Sequence, residues 1–298
     1  MESALKARIH VPVLMAEVLQ SLQPQPGQVL VDGTLGAGGH TLAMAEKLGD
    51  SGIVLSLDRD PEALAAAEIN LKGRRVMVAQ SNFCDLPEVL AEVEIPHVHG
   101  ILLDLGLSSD QLADHDRGFS FDAPGPLDLR FDPAYGEPAY RLINRLSAEN
   151  LSNIIHEFGE ERFARRIARA IVEQRKKQPI ETATDLAQLL RRVIPHRPHG
   201  ERINPATRTF QALRIAVNDE LRSLEIALRR LPDCLEFGGR LAIISYHSLE
   251  DRRVKEAFRN DPRLEILTLQ PIRPSQAEVS RNPRSRSAKL RVARRTDA

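Results

Sequence analysis

An acid, four glycines and a histidine fall within nine positions, Asp32-Gly33-Thr34-Leu35-Gly36-Ala37-Gly38-Gly39-His40. The aliphatic run Val29–Val31 precedes them, and Leu42, Ala45 and Leu48 follow at helical spacing. Strand, tight turn and helix in that order carry backbone N–H groups to a small ligand at a helix N-terminus. Further acids, Asp58, Asp85 and Asp104, stand at or just after the ends of later apolar runs. In an open parallel sheet, ligands sit outside the carboxyl ends of the strands.

The details of the turn select among ligands. No Gly-Lys-Ser/Thr follows, so the lysine and Mg²⁺ ligand of a P-loop are missing. The glycine spacing is not the Gly-x-Gly-x-x-Gly that suits a pyrophosphate. Asp32 would repel a diphosphate, but it can organise the turn and attract the ammonium of a methionine moiety. S-adenosylmethionine carries no phosphate and tolerates that charge. Asp58 is placed to accept from ribose hydroxyls, in a dinucleotide or in S-adenosylmethionine alike; as a helix cap it is inferior to Asp60, which precedes Pro61. Phe83, after the third strand, can flank an adenine or anchor the core. Asp104 leaves a buried strand towards the same crevice, where it can serve function or simply turn chemistry. Cys84 and Cys234 read as buried structural thiols. No lysine is expected near the ends of strands four or five. His247, just past the fifth strand, can contact a target base or its phosphate, or be structural.

These residues need a frame. Strands are expected at Gln28–Val31, Ile53–Leu57, Arg75–Gln80 and Gly100–Leu103, alternating with helices, which means βαβ crossovers in a parallel sheet. From Ser147 the chain turns helical, and one helix is expected to carry Phe210, Leu213, Val217, Leu221, Leu224 and Leu228 on one face. Strands return at Arg240–Ser245, Leu264–Leu269 and Ala288–Ala293. The expectation is a discontinuous α/β domain over residues 1–111 and 212–298, interrupted by a mostly helical insertion over 112–211.

With 298 residues, 42% hydrophobic and 28% charged, the chain is read as a soluble globular protein. It has no apolar run near the ~18 residues of a membrane span and no signal-peptide pattern. Two cysteines without a CxxC suit a reducing cytoplasm and argue against a structural zinc site; no metal is expected. The net charge of zero hides a split. Residues 1–140 hold 9 Lys and Arg against 21 Asp and Glu, and the remainder holds 32 against 20. The basic half could meet a polyanion through Arg162, Arg165, Arg166, Arg169, Arg202 and Arg208, and through the tail Arg284, Arg286, Lys289, Arg291, Arg294 and Arg295. The alternative is simply solvated basic faces. Tyr246, Phe119 and Phe121 are candidate stacking platforms for a flipped base, or core residues.

Several longer motifs carry a resemblance: Asp32–His40, Leu102-Leu-Asp-Leu-Gly-Leu-Ser-Ser109 with Gln111, Arg117-Gly-Phe-Ser-Phe121, Gly125-Pro-Leu-Asp128, Asn204-Pro-Ala-Thr-Arg208 with Phe210–Arg214, Ser245–Arg252 and the tail Arg281–Arg291. Together, from His10 to near the C-terminus, they resemble the MraW/RsmH family, which methylates N4 of a cytosine in the decoding region of 16S rRNA. The resemblance implies a class I S-adenosylmethionine-dependent methyltransferase fold, Rossmann-like and mostly parallel, with a helical substrate domain inserted after the fourth strand. It implies cofactor contacts from Gly38, Gly39 and His40 in the turn, Asp58 on the ribose, Phe83 by the adenine, and Asp104 and Gln111 near the reactive end.

Overall fold

The computed structural model describes residues 12–122, 124–195 and 204–297. The chain forms two compact units, Met1–Ser108 with Ser223–Ala298, and Ser109–Arg222.

The first unit is built on seven strands: β1 (Val29–Asp32), β2 (Ile53–Asp58), β3 (Val76–Gln80), β4 (Val98–Asp104), β5 (Leu235–Ser245), β6 (Leu264–Ile266) and β7 (Lys289–Arg295). Their order is β3-β2-β1-β4-β5-β7-β6, with β7 antiparallel to both neighbours and the rest parallel. This is the mostly parallel, Rossmann-like sheet of a class I methyltransferase.

Alternation along the strands explains the layers. Leu30, Val54, Leu102 and Ile244 point to one face, against α1 (Met15–Leu22) and α2 (Gly39–Leu48). Val31, Leu55, Leu103 and Ile243 point to the other, against side chains of α4 (Leu86–Glu92), α11 (Glu220–Cys234) and α12 (Ser248–Asn260). Strands buried on both faces read as continuous aliphatic runs, and these do. Between β2 and β3 lies α3 (Pro61–Asn70), and α13 (Gln276–Arg281) precedes β7. The strand order reverses at β1 and β4, and at such a switch point a crevice opens beyond the strand ends.

The second unit holds α5 (Ser109–Ala113), α6 (Ala139–Arg145), α7 (Ala148–Gly159), α8 (Ala164–Lys177), α9 (Ala183–Val193) and α10 (Thr207–Asn218). Ile143, Leu151, Ile155, Ile167, Leu190 and Leu213 are buried in it. Its irregular stretch is tightly built. A Cβ on Gly118 would fall 2.4 Å from the Pro126 carbonyl oxygen, and one on Gly125 would fall 2.0 Å from that of His115. Phe119 stacks on Phe131 and Phe121 meets Phe210 edge-on, so both rings serve internal packing.

Three expectations are refined. The single helix through Phe210 and Leu228 is two, because Asp219 takes a left-handed conformation (φ 53°) between α10 and α11. The unit boundary therefore falls within α11, and α10 lies whole in the second unit rather than being divided at residue 212. The sixth strand ends at Ile266, three residues short of the expected Leu269. No described helix is long and apolar enough to cross a membrane, and among the described residues no three His, Cys, Asp or Glu side chains gather as a metal-binding group.

Candidate active site

The glycine turn is held from below by Asp32. This carboxylate is fully buried at the end of β1. It accepts from the Thr34 N–H (3.2 Å) and from the Thr41 hydroxyl (2.7 Å), which also meets the Ser56 hydroxyl at 2.9 Å. Burial pushes its pKa up, and these bonds and His40 oppose the rise only in part. Asp32 therefore organises the turn, as expected. It does not present itself to a ligand's ammonium, because no part of it is exposed.

The turn itself depends on missing side chains. Gly36 (φ 49°) and Gly38 (φ 80°) occupy the left-handed region, which costs other residues about 1–2 kcal/mol. Gly39 lies under Pro12, whose Cγ would stand 2.4 Å from an added Cβ. No side chain caps α2 at Gly38, so its first-turn N–H groups are left for another partner.

Asp58, at the end of β2, closes the turn from the side. One carboxylate oxygen accepts from Gly36 N–H (2.8 Å) and the other from Asp60 N–H (3.0 Å). Asp60 caps α3 by accepting from Glu62 N–H, which leaves Asp58 free of that duty. Each Asp58 oxygen retains acceptor capacity. Burial raises the carboxyl pKa to about 6, against the pull of the two backbone N–H groups. Phe83, half-buried, begins the turn after β3; its Cβ would lie 3.0 Å from a Cβ on Gly33, so its backbone borders the glycine turn.

Asp104 ends β4. Its N–H donates to the Thr34 hydroxyl (2.7 Å), tying it to the turn. Its Oδ1 accepts from the Tyr246 hydroxyl at 2.8 Å, and its Oδ2 lies 3.5 Å from His40 Nε2. The side chain keeps 20% of its surface, so a ligand can reach it. Burial pushes the His40 pKa down, but Asp104 and Asp32 outweigh it and the net shift is upward. Neither ring nitrogen of buried His40 finds a properly directed hydrogen-bond partner. A buried imidazole, an uncapped helix start and a side-chain-free cradle together fit an adenosyl amino-acid ligand.

Tyr246 had no local sequence signal for this role. Its ring lies over Gly106, where an added Cβ would meet it at 3.3 Å, and burial next to Asp104 pushes its phenol pKa far up. It is a fixed hydroxyl donor to Asp104 rather than a free stacking platform. His247 is an N-cap: its Nδ1 accepts from Glu250 N–H (3.4 Å) while the Glu250 carboxylate accepts from the His247 and Tyr246 N–H groups. Only 11% of its side chain is exposed. Replacing His247 with Ala should cost about 1 kcal/mol of stability through the lost cap, seen as a lower denaturation midpoint, and His247→Asn should restore most of it.

Gly38, Gly39, His40, Asp58, Phe83 and Asp104 thus gather in the first unit. Gln111, buried on α5, and Arg208, exposed on α10, belong to the second. Arg202 lies outside the described residues. The basic tail is not a free cluster. Lys289 and Arg291 both pair with Asp251 (2.8 and 2.7 Å), Arg294 pairs with Glu265 (2.5 Å), and Arg295 donates to the Pro232 carbonyl. As strand β7 these residues sit opposite carboxylates that lie far off in sequence. The same pairing corrects the expectation about lysines: Lys289 stands opposite Ser245 at the end of β5, committed to Asp251.

Residues 7–296 match the model of the MraW methylase family. A protein of Cyanothece sp. is 50% identical over 97% of this chain and 96% of its own length. Proteins of Trichlorobacter lovleyi and Thermomicrobium roseum are each 48% identical, over 95% and 96% of this chain and 97% and 93% of theirs. All three bear the name ribosomal RNA small subunit methyltransferase H. With a class I sheet and a family match over nearly its whole length, the chain belongs to the MraW methylase family and is an S-adenosylmethionine-dependent methyltransferase.

Proposed function

We infer that this enzyme methylates the exocyclic N4 of a cytidine in the decoding region of 16S rRNA, in the cytoplasm. The observation that carries the reading is the Asp104 carboxylate, partly exposed at the end of β4 and held between Tyr246 and His40. The relatives' name supplies small-subunit ribosomal RNA as the substrate class.

S-adenosylmethionine supplies an electrophilic methyl group when bound. The residues assigned to it are the Gly38, Gly39 and His40 turn for the methionine end, Asp58 for the ribose hydroxyls, and Phe83 beside the adenine. Gln111 is assigned to the reactive end. Asp104 accepts the N–H bonds of the cytosine amine, which localises a lone pair otherwise spread into the ring, and it is the first acceptor for the proton the amine sheds. Alignment and charge placement then account for catalysis, without a covalent nucleophile. Arg208 is assigned to substrate phosphate. His247 acts indirectly, by fixing the start of α12 and with it Tyr246.

Cytosine C5 chemistry is disfavoured because burial pushes both thiols, Cys84 and Cys234, up to about 11. A Cys84→Ala/Cys234→Ala variant should transfer methyl at a rate close to wild type, measured with labelled cofactor; abolished transfer would point to C5 instead. The direct test of the reading is mass spectrometry of nucleosides from small-subunit rRNA of cells with and without the protein. Loss of an N4-methylated cytidine is expected, and an unchanged nucleoside profile would reject it.

A further inference from the structure

Arginines crowd the start of α8 against the local electrostatic rules. Arg162 and Arg165, Arg166 and Arg169 are all exposed, while Ile167, Ala168 and Ile171 face the core. At 100° per residue Arg165, Arg166 and Arg169 fall within about 100° of one another on one face of α8, and Arg162 stands just ahead of its first residue, Ala164. From Arg165 to Arg169 the helix rises about 6 Å. The N-terminal end of a helix is its positive end, where acids stabilise and cations do not. The first turn of α8 holds no acid. The arginines also stand three and four residues apart, where like charges repel.

Among the described residues no ion pair reaches Arg165, Arg166 or Arg169, and the helix's one paired exposed cation is Lys176, on Glu173 at 2.7 Å. The Arg162 guanidinium lies over the Phe163 ring, 4.4 Å from its centroid, which orders it without removing its charge. The β7 arginines, by contrast, have carboxylate partners. A residue set that breaks local rules with no compensation inside the fold marks a functional surface.

We propose that the α8 arginine face docks on the sugar–phosphate backbone of the RNA substrate, without reading its sequence. This rests on the RNA reading above. Four guanidinium groups and a helix N-terminus within two turns demand dense negative charge, which a nucleic-acid backbone supplies. A membrane surface is the poorer fit, since interfacial helices carry large apolar side chains beside their cations. The only exposed large hydrophobic residue described in this unit is Tyr135, on another segment.

The test is the triple variant Arg165→Gln/Arg166→Gln/Arg169→Gln in the full chain. Its binding to a 16S rRNA transcript is followed by fluorescence anisotropy between about 50 and 200 mM salt. Loss of three phosphate contacts lowers the slope of log K against log salt by about 2–3 and weakens binding by an order of magnitude or more. S-adenosylhomocysteine affinity stays unchanged. The melting temperature stays equal or rises, because repulsion is relieved; a merely structural role would lower it. Arg294→Gln, which removes a paired arginine of β7, leaves the slope as it was.

An unchanged slope in the triple variant overturns the proposal, as does a loss confined to vesicles of anionic lipid. If the wild type methylates the transcript while the triple variant keeps its slope, the docking surface alone is wrong. If the slope depends on α8 but the wild type transfers no methyl to this RNA, the substrate reading is wrong and the surface stands.

Discussion

Asp104→Asn slows single-turnover methyl transfer to small-subunit rRNA by about 10²–10³-fold, the range seen when one preorganised charge-stabilising or proton-accepting group is removed. Asn is the informative replacement. Its carbonyl oxygen still accepts from the Tyr246 hydroxyl, so that buried donor is not orphaned and the fold is spared. What disappears is the negative charge. The amide also turns an NH₂ group towards a substrate amine that needs an acceptor. The effect should appear in the chemical step rather than in cofactor affinity, which isothermal titration with S-adenosylhomocysteine checks separately. A variant that transfers methyl at the wild-type rate removes Asp104 from the mechanism. Tyr246→Phe should show the same signature more weakly, because it frees the carboxylate to rotate without discharging it.

Cofactor affinity should fall as pH drops through about 6, and Asp58 is the cause. In the free protein, burial raises this carboxyl to about 6. The group carries its proton below that value, and a neutral acid is a poorer acceptor for ribose hydroxyls. Binding favours the carboxylate, so affinity rises with pH across this window, and a proton is released on binding at its lower end. The folding linkage has the opposite sense. A carboxyl whose pKa is raised in the folded state stabilises the fold most below its unfolded value, and that contribution is lost as pH rises through about 6. Calorimetric titration in buffers of different ionisation enthalpy, from pH 5 to 7.5, reads the proton release directly. Asp58→Ala should weaken binding by about 100-fold, from two charge-assisted hydrogen bonds of about 1.5 kcal/mol each. PH-independent affinity across this range, or an Asp58→Ala variant that binds normally, would separate Asp58 from the ribose.

Much of the site was legible because its signals are local. A strand ending in an acid, a glycine turn and a helix start need only a dozen consecutive residues, and the turn at Asp32–His40 has all three. Asp58 and Asp104 followed from the same logic, since strand ends in a parallel sheet converge on one crevice. Asp32 turns inward rather than to the crevice, and a sequence shows that an acid enters a turn, not which way it points. Thr41 and Ser56 lie on other elements, and they draw that carboxylate inward.

Residue order and type were enough to indicate an alternating α/β frame, an interruption by helices, and a nucleoside pocket without phosphate chemistry. These depend on periodicity and on backbone freedom at glycine, which neighbouring residues dictate. Folding settled the partners. Tyr246 reaches Asp104 across 142 residues because β4 and β5 are adjacent, and Lys289, Arg291 and Arg294 meet carboxylates because β7 enters the sheet beside Asp251 and Glu265. Among the described residues the arginines of α8 find no such partner. A charge's role depends on what stands within a few ångströms of it, and in a doubly wound sheet that is set by strand order rather than by distance along the chain.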